Sequence, residues 1–177
     1  PSDPSGMQLI PGTVHDYATL YLNGRYLGAV SRRDPLPSGY TQAYGMIRPG
    51  QPVSFPEGLQ ADKDGAYVLD VLVESTGHLM FNTGMHTDAK GLLSPVQLKM
   101  KDGSRTILSE LEVFQLPLTE TDVLGLQADQ ATPRTGVNCF VGSFELVSVG
   151  DVYLDMRGWA KGMVWVNGHA LGRYWQI

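Results

Sequence analysis

The sequence contains one cysteine, Cys139, so no intrachain disulfide can form. A catalytic thiol would need a base and an orienting group. The four histidines (His15, His78, His86, His169) show no spacing that supplies them. The neighbours of Cys139 instead suggest a small buried hydrophobe. No apolar run approaches the roughly 18 residues of a membrane span. Positive charge is also scarce, with 13 Lys and Arg against 18 Asp and Glu and a net charge of -5. Nucleic-acid binding needs clustered cations to neutralise phosphate, and Arg32-Arg33 is too short a cluster, so nucleic acid and membrane are both excluded as partners. No Asp/Asn spacing matches a dedicated calcium loop; structural calcium is considered, but no cofactor and no metal are expected. No charged-then-apolar leader opens the chain, so any secretion signal is expected to have been removed or to belong to a longer parent.

What the 177 residues do contain is glycine, proline and short alternating runs, with 21 Gly and 11 Pro. The length is enough for one domain with a real core. Residues 1–11 read as a flexible lead-in and residues 14–22 as the first strand. Residues 38–56, including Tyr40 and Tyr44, read as loop with short strands. In residues 66–74, Tyr67, Leu69, Val71 and Val73 alternate with Asp70 and Glu74, so the apolar set should face inward. Strands continue over 96–100, 106–108 and 111–116, around a turn at Lys101-Asp102-Gly103-Ser104. Asp62-Lys63-Asp64-Gly65 reads as another turn. The pattern is an all-β, jelly-roll-like sandwich rather than an α/β fold. The expected organisation is a β-sandwich core over 1–118, a linker or long connection over 119–139, and a partial second repeat over 140–177 docked to complete one compact unit. An open strand edge there would also allow a dimer.

Two segments share one plan. Residues 17–28 run as a strand, Asn23-Gly24 and a Leu27-Gly28 exit. Residues 163–172 repeat it around Asn167-Gly168 and Leu171-Gly172. An Asn-Gly pair between alternating runs is the strongest short hairpin signal, because both turn positions need positive φ. The second copy lies inside Gly158-Trp159-Ala160-Lys161-Gly162-Met163-Val164-Trp165-Val166-Asn167-Gly168-His169-Ala170-Leu171-Gly172-Arg173-Tyr174-Trp175. This run resembles the C-terminal β-sandwich region of family 35 β-galactosidases, which carries a similar Gly-Trp-x-Lys-Gly-x-Val-Trp-x-Asn-Gly-x-x-Leu-Gly-Arg-Tyr-Trp signature. Val71-Leu72-Val73-Glu74-Ser75-Thr76-Gly77 and Asp88-Ala89-Lys90-Gly91-Leu92-Leu93-Ser94 resemble further family segments, with His78 where the family has Arg. Residues 140–146 and 151–156 resemble the strands that precede the Gly-Trp run. The resemblance implies galactose-binding-like sandwiches without the family's catalytic barrel, which needs roughly 200 residues or more. Localisation is left open, with extracellular or periplasmic residence favoured.

A sugar-binding surface needs an aromatic plane for the apolar face of a pyranose, flanked by groups that bond its hydroxyls. The candidates are Trp165, Trp175, Tyr174, Arg173, Tyr153, Tyr21 and His169. Alternation that turns Val152, Leu154 and Met156 inward turns Tyr153 outward, and Trp165 and Tyr21 point outward by the same logic. Outward aromatics are also what a domain uses to pack on a neighbour. Trp159, at a bend, reads as a plug for the end of a sandwich, and Arg173 as a partner for an aromatic ring or for Asp155. Two functions follow. One is a non-catalytic carbohydrate-binding module for polysaccharide or oligosaccharide. The other is an accessory domain that braces the catalytic domain of a parent enzyme without sugar affinity of its own.

Overall fold

A computed structural model describes residues 4, 6–32, 45–81, 83–126 and 135–176. The expected loop around Tyr40 and Tyr44 and the middle of the expected connection (127–134) lie outside the described residues. The chain divides into two compact units, Pro1–Glu112 and Val113–Ile177.

The first unit is an antiparallel sandwich. Its strands are β1 (Gln8–Ile10), β2 (Val14–His15), β3 (Tyr17–Leu22), β4 (Arg25–Ser31), β5 (Met46–Ile47), β6 (Val53–Ser54), β7 (Leu69–Glu74), β8 (Gly91–Leu92), β9 (Gln97–Lys99) and β10 (Arg105–Ile107). One sheet has the order β10-β9-β1-β6, the other β5-β4-β3-β7, and β2 pairs with β8. All of these pairings are antiparallel except β4 with β5. The core lies between the two sheets, where Leu9 of β1 meets Ala18, Leu20, Val30 and Ile47 of the opposite sheet, with Val14 and Val96 beside them. Leu69, Val71 and Val73 pack against this core, as the alternation in β7 predicts. The expected strand at 14–22 is interrupted at Asp16. The predicted turns form as read. Asp62 Oδ1 accepts from the Asp64 and Ala66 amides, and Asp102 Oδ1 accepts from the Ser104 amide and hydroxyl.

Two expectations for this part of the chain need correction. Residues 1–11 are not simply a lead-in, because β1 is an inner strand of its sheet and Leu9 and Ile10 are buried. A strand of three residues is too short to show periodicity. Conversely, residues 111–116 form no strand. Leu111, Val113, Phe114 and Leu116 are all exposed, although their alternation is strand-like.

In the second unit the regular elements are α1 (Glu120–Leu124), β11 (Lys161–Val166) and β12 (His169–Trp175). Residues expected to be pure connection thus include a helical turn, closed by a capping box in which Thr119 and Asp122 bond each other's backbone amides. Residues 140–146 and 151–156 form no strands. Val152 and Leu154 are exposed rather than inward-facing, and Cys139 is exposed rather than buried. Alternation marks a strand only where a partner sheet receives it, and these segments pair with no described strand.

The two hairpins are copies in backbone detail. Asn23 and Gly24 have φ of 49° and 70°, and Asn167 and Gly168 of 50° and 85°, values of the type I′ class whose twist suits a hairpin. Each hairpin then slips register at the same place. Leu20 faces Gly28 while Tyr21 faces Tyr26, which leaves Leu27 as the extra residue. Val164 faces Gly172 while Trp165 faces Ala170, which leaves Leu171. The Leu-Gly exit is therefore a β-bulge, and both of its glycines hold positive φ.

At Gly28 the bulge is also crowded. A Cβ there would lie 2.5 Å from the Gly45 carbonyl oxygen and 2.6 Å from Ile47 Cδ1, whereas one at Gly172 would meet nothing within 4 Å. Gly28→Ala is expected to cost about 3 kcal/mol in urea unfolding, from steric overlap together with strained φ. Gly172→Ala should cost only the φ strain, about 1 kcal/mol. Equal costs would show that crowding against β5 does not hold the first bulge.

Candidate functional site

In the first unit the structure gathers five charged or titratable side chains that sequence reasoning left dispersed. Asp16 interrupts the first strand because its side chain turns into the interior, where it is 3% exposed. Its Oδ1 accepts from Arg32 Nη1 (2.6 Å) and Lys90 Nζ (2.9 Å). Its Oδ2 accepts from Lys90 Nζ (2.8 Å), the Thr76 amide (2.7 Å) and the Thr76 hydroxyl (2.9 Å). Asp88 is the second carboxylate. Its Oδ1 accepts from Arg32 (2.9 Å), and its Oδ2 takes Lys90 at 2.9 Å and the Leu79 amide at 3.2 Å. His15 donates through Nδ1 to the Ala89 carbonyl and lies 3.7 Å from Asp88 Oδ1. The two cations are thus shared by two carboxylates.

This arrangement sets the charge states. Burial pushes the Asp16 carboxyl up, but its bonds from Lys90, Thr76 and Arg32 outweigh that and hold it far below the usual carboxylate range. The Lys90 bond is the main cause that holds Asp88 down, at about 2, against the opposing effect of burial. Lys90 is pulled down by burial and raised further by the two carboxylates, so it stays charged. The sequence signals for this cluster were present but divided. Asp88 and Lys90 stand in a family-like segment, and Arg32 stands in a basic pair.

The aromatic candidates are distributed over both units. Tyr21 in β3 alternates with the buried Leu20 and Leu22 and is half-buried, with its ring edge-on to Tyr26 at 5.8 Å. Burial, with Tyr21 beside it, pushes the Tyr26 hydroxyl up to about 12. The other six candidates belong to the second unit. Alternation along β11 puts Lys161, Met163 and Trp165 on one face, where they meet Trp175, Arg173 and Ala170 across the ladder. Lys161 Nζ lies 5.3 Å and Arg173 Cζ 5.9 Å from the Trp175 ring centre, so two cations flank one indole. Trp165 and Trp175 are half-buried and Arg173 is exposed.

Tyr174 lies on the opposite face, across from Gly162. A Cβ at 162 would come within 2.6 Å of its hydroxyl, so the ring covers the glycine as a cross-strand aromatic does. Burial raises its pKa. His169 is exposed beside the turn, and Tyr153 is almost fully exposed at 91%. Trp159 is partly exposed and packs edge-on to Phe140 at 5.0 Å. Asp155 bonds Arg157. Among the described residues no group of three or more His, Cys, Asp or Glu could hold a metal ion.

Both buried carboxyls titrate lower in the folded chain than in the unfolded one, so the unfolded chain takes up protons first as the pH falls. The stability they contribute is complete above about pH 4 and drains away as the pH drops through about 2. Urea midpoints measured from pH 6 downward should fall along that slope. Asp16→Asn should lower stability at pH 6 by about 3 kcal/mol and flatten the acid dependence. An unchanged acid slope in the variant would remove Asp16 as its source.

Comparison with known proteins adds the family. A model described as the galactose-binding domain of β-galactosidase matches residues 139–177. A β-galactosidase of Xanthomonas manihotis is 32% identical over 166 residues, covering 94% of this chain and 23% of that protein. The β-galactosidase of Bos taurus is 29% identical over 195 residues, covering 99% and 26% respectively. A β-galactosidase-1-like protein of Mus musculus is 36% identical over 115 residues, covering 62% and 17%. The chain therefore spans about a quarter or less of the length of these relatives. A β-sandwich, twin Asn-Gly hairpins with matching bulges, and alignment along nearly the whole chain agree on one origin: the chain belongs to the β-galactosidase family, as its galactose-binding accessory region.

Proposed function

We propose that this chain is a non-catalytic accessory region that braces the catalytic part of a β-galactosidase. The observation that carries this reading is the apolar surface of the second unit. Phe140, Val141, Phe144, Leu146, Val147, Val149, Val152 and Tyr153 are all exposed, within a stretch of fourteen residues. Large apolar side chains exposed in that number are what an interaction surface presents. The charge cluster supports the non-catalytic half of the proposal. Glycoside hydrolysis needs one carboxyl kept protonated as an acid, opposed to a second across a substrate cleft. Asp16 and Asp88 are instead both held ionised by the same two cations.

A second reading, sugar binding at the β11–β12 hairpin, is favoured by a specific grouping. Trp175 offers an indole plane with Lys161 and Arg173 beside it, and Trp165 shares that face. This is the aromatic-plus-donor composition a pyranose requires. Tyr174 and His169 contribute less to it, because alternation puts them on the other face of the hairpin.

The two readings separate experimentally. In a full-length family member carrying this region, Val147→Asp with Val149→Asp should lower the melting temperature of the catalytic part by several degrees, about what a loss of 1–2 kcal/mol produces. The isolated chain should melt as before. Calorimetry of the isolated chain with galactose and β-galactosides should show no heat. Saturable heat that Trp175→Ala abolishes in a folded variant would transfer the function to the hairpin.

A further inference from the structure

The two Asn-Gly turns form a matched pair whose asparagine side chains differ in one respect. Asn23 is tethered: its Nδ2 donates to the Gln60 carbonyl at 2.7 Å, and its Oδ1 accepts from the Val68 amide at 2.7 Å. Asn167 is exposed, and no described residue bonds its carboxamide. The backbone conformations are the same, with φ of 49° and 50° at the two asparagines, and the local sequences are Leu-Asn-Gly-Arg and Val-Asn-Gly-His.

We propose that Asn167 is a spontaneous deamidation site and that Asn23 is protected from the same reaction by its tether. In the first step the Gly168 backbone nitrogen loses its proton and attacks Asn167 Cγ. A C–N bond forms, the Cγ–Nδ2 bond breaks, and ammonia leaves with the proton, giving a cyclic succinimide. Water then opens the ring at either carbonyl, to aspartate or isoaspartate. Glycine is the residue that permits the attack, because without a Cβ it adds no bulk of its own beside the nitrogen. At position 23 the attack requires both carboxamide bonds to break first, since the carbon under attack is fixed between two backbone partners.

The product has a defined neighbour. Glu120 lies against this turn, since a Cβ built on Gly168 would be 2.7 Å from Glu120 Oε1 and 3.1 Å from Leu124 Cδ1. Deamidation thus adds a carboxylate beside an existing one at the place where α1 meets the hairpin. Isoaspartate also lengthens the main chain of the turn by one atom. Both changes work against the α1 contact.

The test is incubation of the whole chain at mildly alkaline pH, followed by tryptic peptide mapping. Residues 162–173 form the peptide that carries Asn167, and residues 1–25 the peptide that carries Asn23. The Asn167 peptide should gain aspartate and isoaspartate about tenfold faster than the Asn23 peptide, the factor that loss of two tethering bonds implies. In concentrated urea, where the tether is gone, the two rates should converge. Equal rates in the folded chain would overturn the proposal. So would a difference that persists undiminished in urea, because it would then belong to the flanking residues and not to the tether.

Discussion

The first unit depends on the exchange of charge around Asp16. Its carboxylate receives Arg32 from the end of β4, the amide and hydroxyl of Thr76 just beyond β7, and Lys90 from the approach to β8. Its backbone completes the junction, with the Asp16 amide donating to the Glu74 carbonyl and its own carbonyl accepting from the Arg32 amide. Three chain segments far apart in sequence are therefore fixed to one residue. A buried carboxylate is tolerated only when its oxygens are fully satisfied, and no buried polar side-chain atom among the described residues lacks a partner. The interruption of the first strand at Asp16 follows from this, because strand geometry alone would not carry the carboxylate to all its donors.

The hairpins show how one sequence plan serves two settings. In β3–β4 the bulge glycine is packed beneath β5, and the turn asparagine is clamped to the segment leading into β7. In β11–β12 the bulge glycine stands open, and the turn glycine takes the close approach instead, from α1. The local chemistry of Asn-Gly and Leu-Gly sets the backbone in both. What surrounds that backbone decides which glycine is sterically required and which asparagine remains reactive.

That distinction also explains what was legible in the sequence. Turns such as Asp62-Lys63-Asp64-Gly65 and both Asn-Gly pairs are decided by residues within four positions, so they could be read directly. The inward face of β7 was legible because Leu69, Val71 and Val73 meet a core that exists. The alternation at 111–116 and 151–156 is just as clear, yet it forms no strand in the structure, because a strand needs a partner and alternation records only a demand for one. Strand β1 failed in the opposite way, being too short to show a period. The Asp16 cluster is not legible because Arg32 lies 16 residues and Lys90 74 residues from Asp16, and they meet it only through sheet topology.

The unmet demand for partners bears on how the second unit is stabilised. Among the described residues its regular structure is one two-stranded hairpin and a helix of five residues. Neither is stable alone in water, since an isolated hairpin is marginal at best and a single helical turn does not repay its nucleation. The interactions within the unit include a capping box, an aromatic ring across Gly162, Lys161 and Arg173 near the Trp175 indole, α1 against the Gly168 turn, and Phe140 against Trp159. Such contacts contribute about 1 kcal/mol each. Burial of Phe140, Phe144, Val147, Val149 and Val152 would stabilise the unit more than these contacts do, and it is unused while those side chains face water. A surface that covered them would therefore gain both the burial energy and the order of the segments that carry it. For this unit, a partner that docked there would at the same time complete the fold.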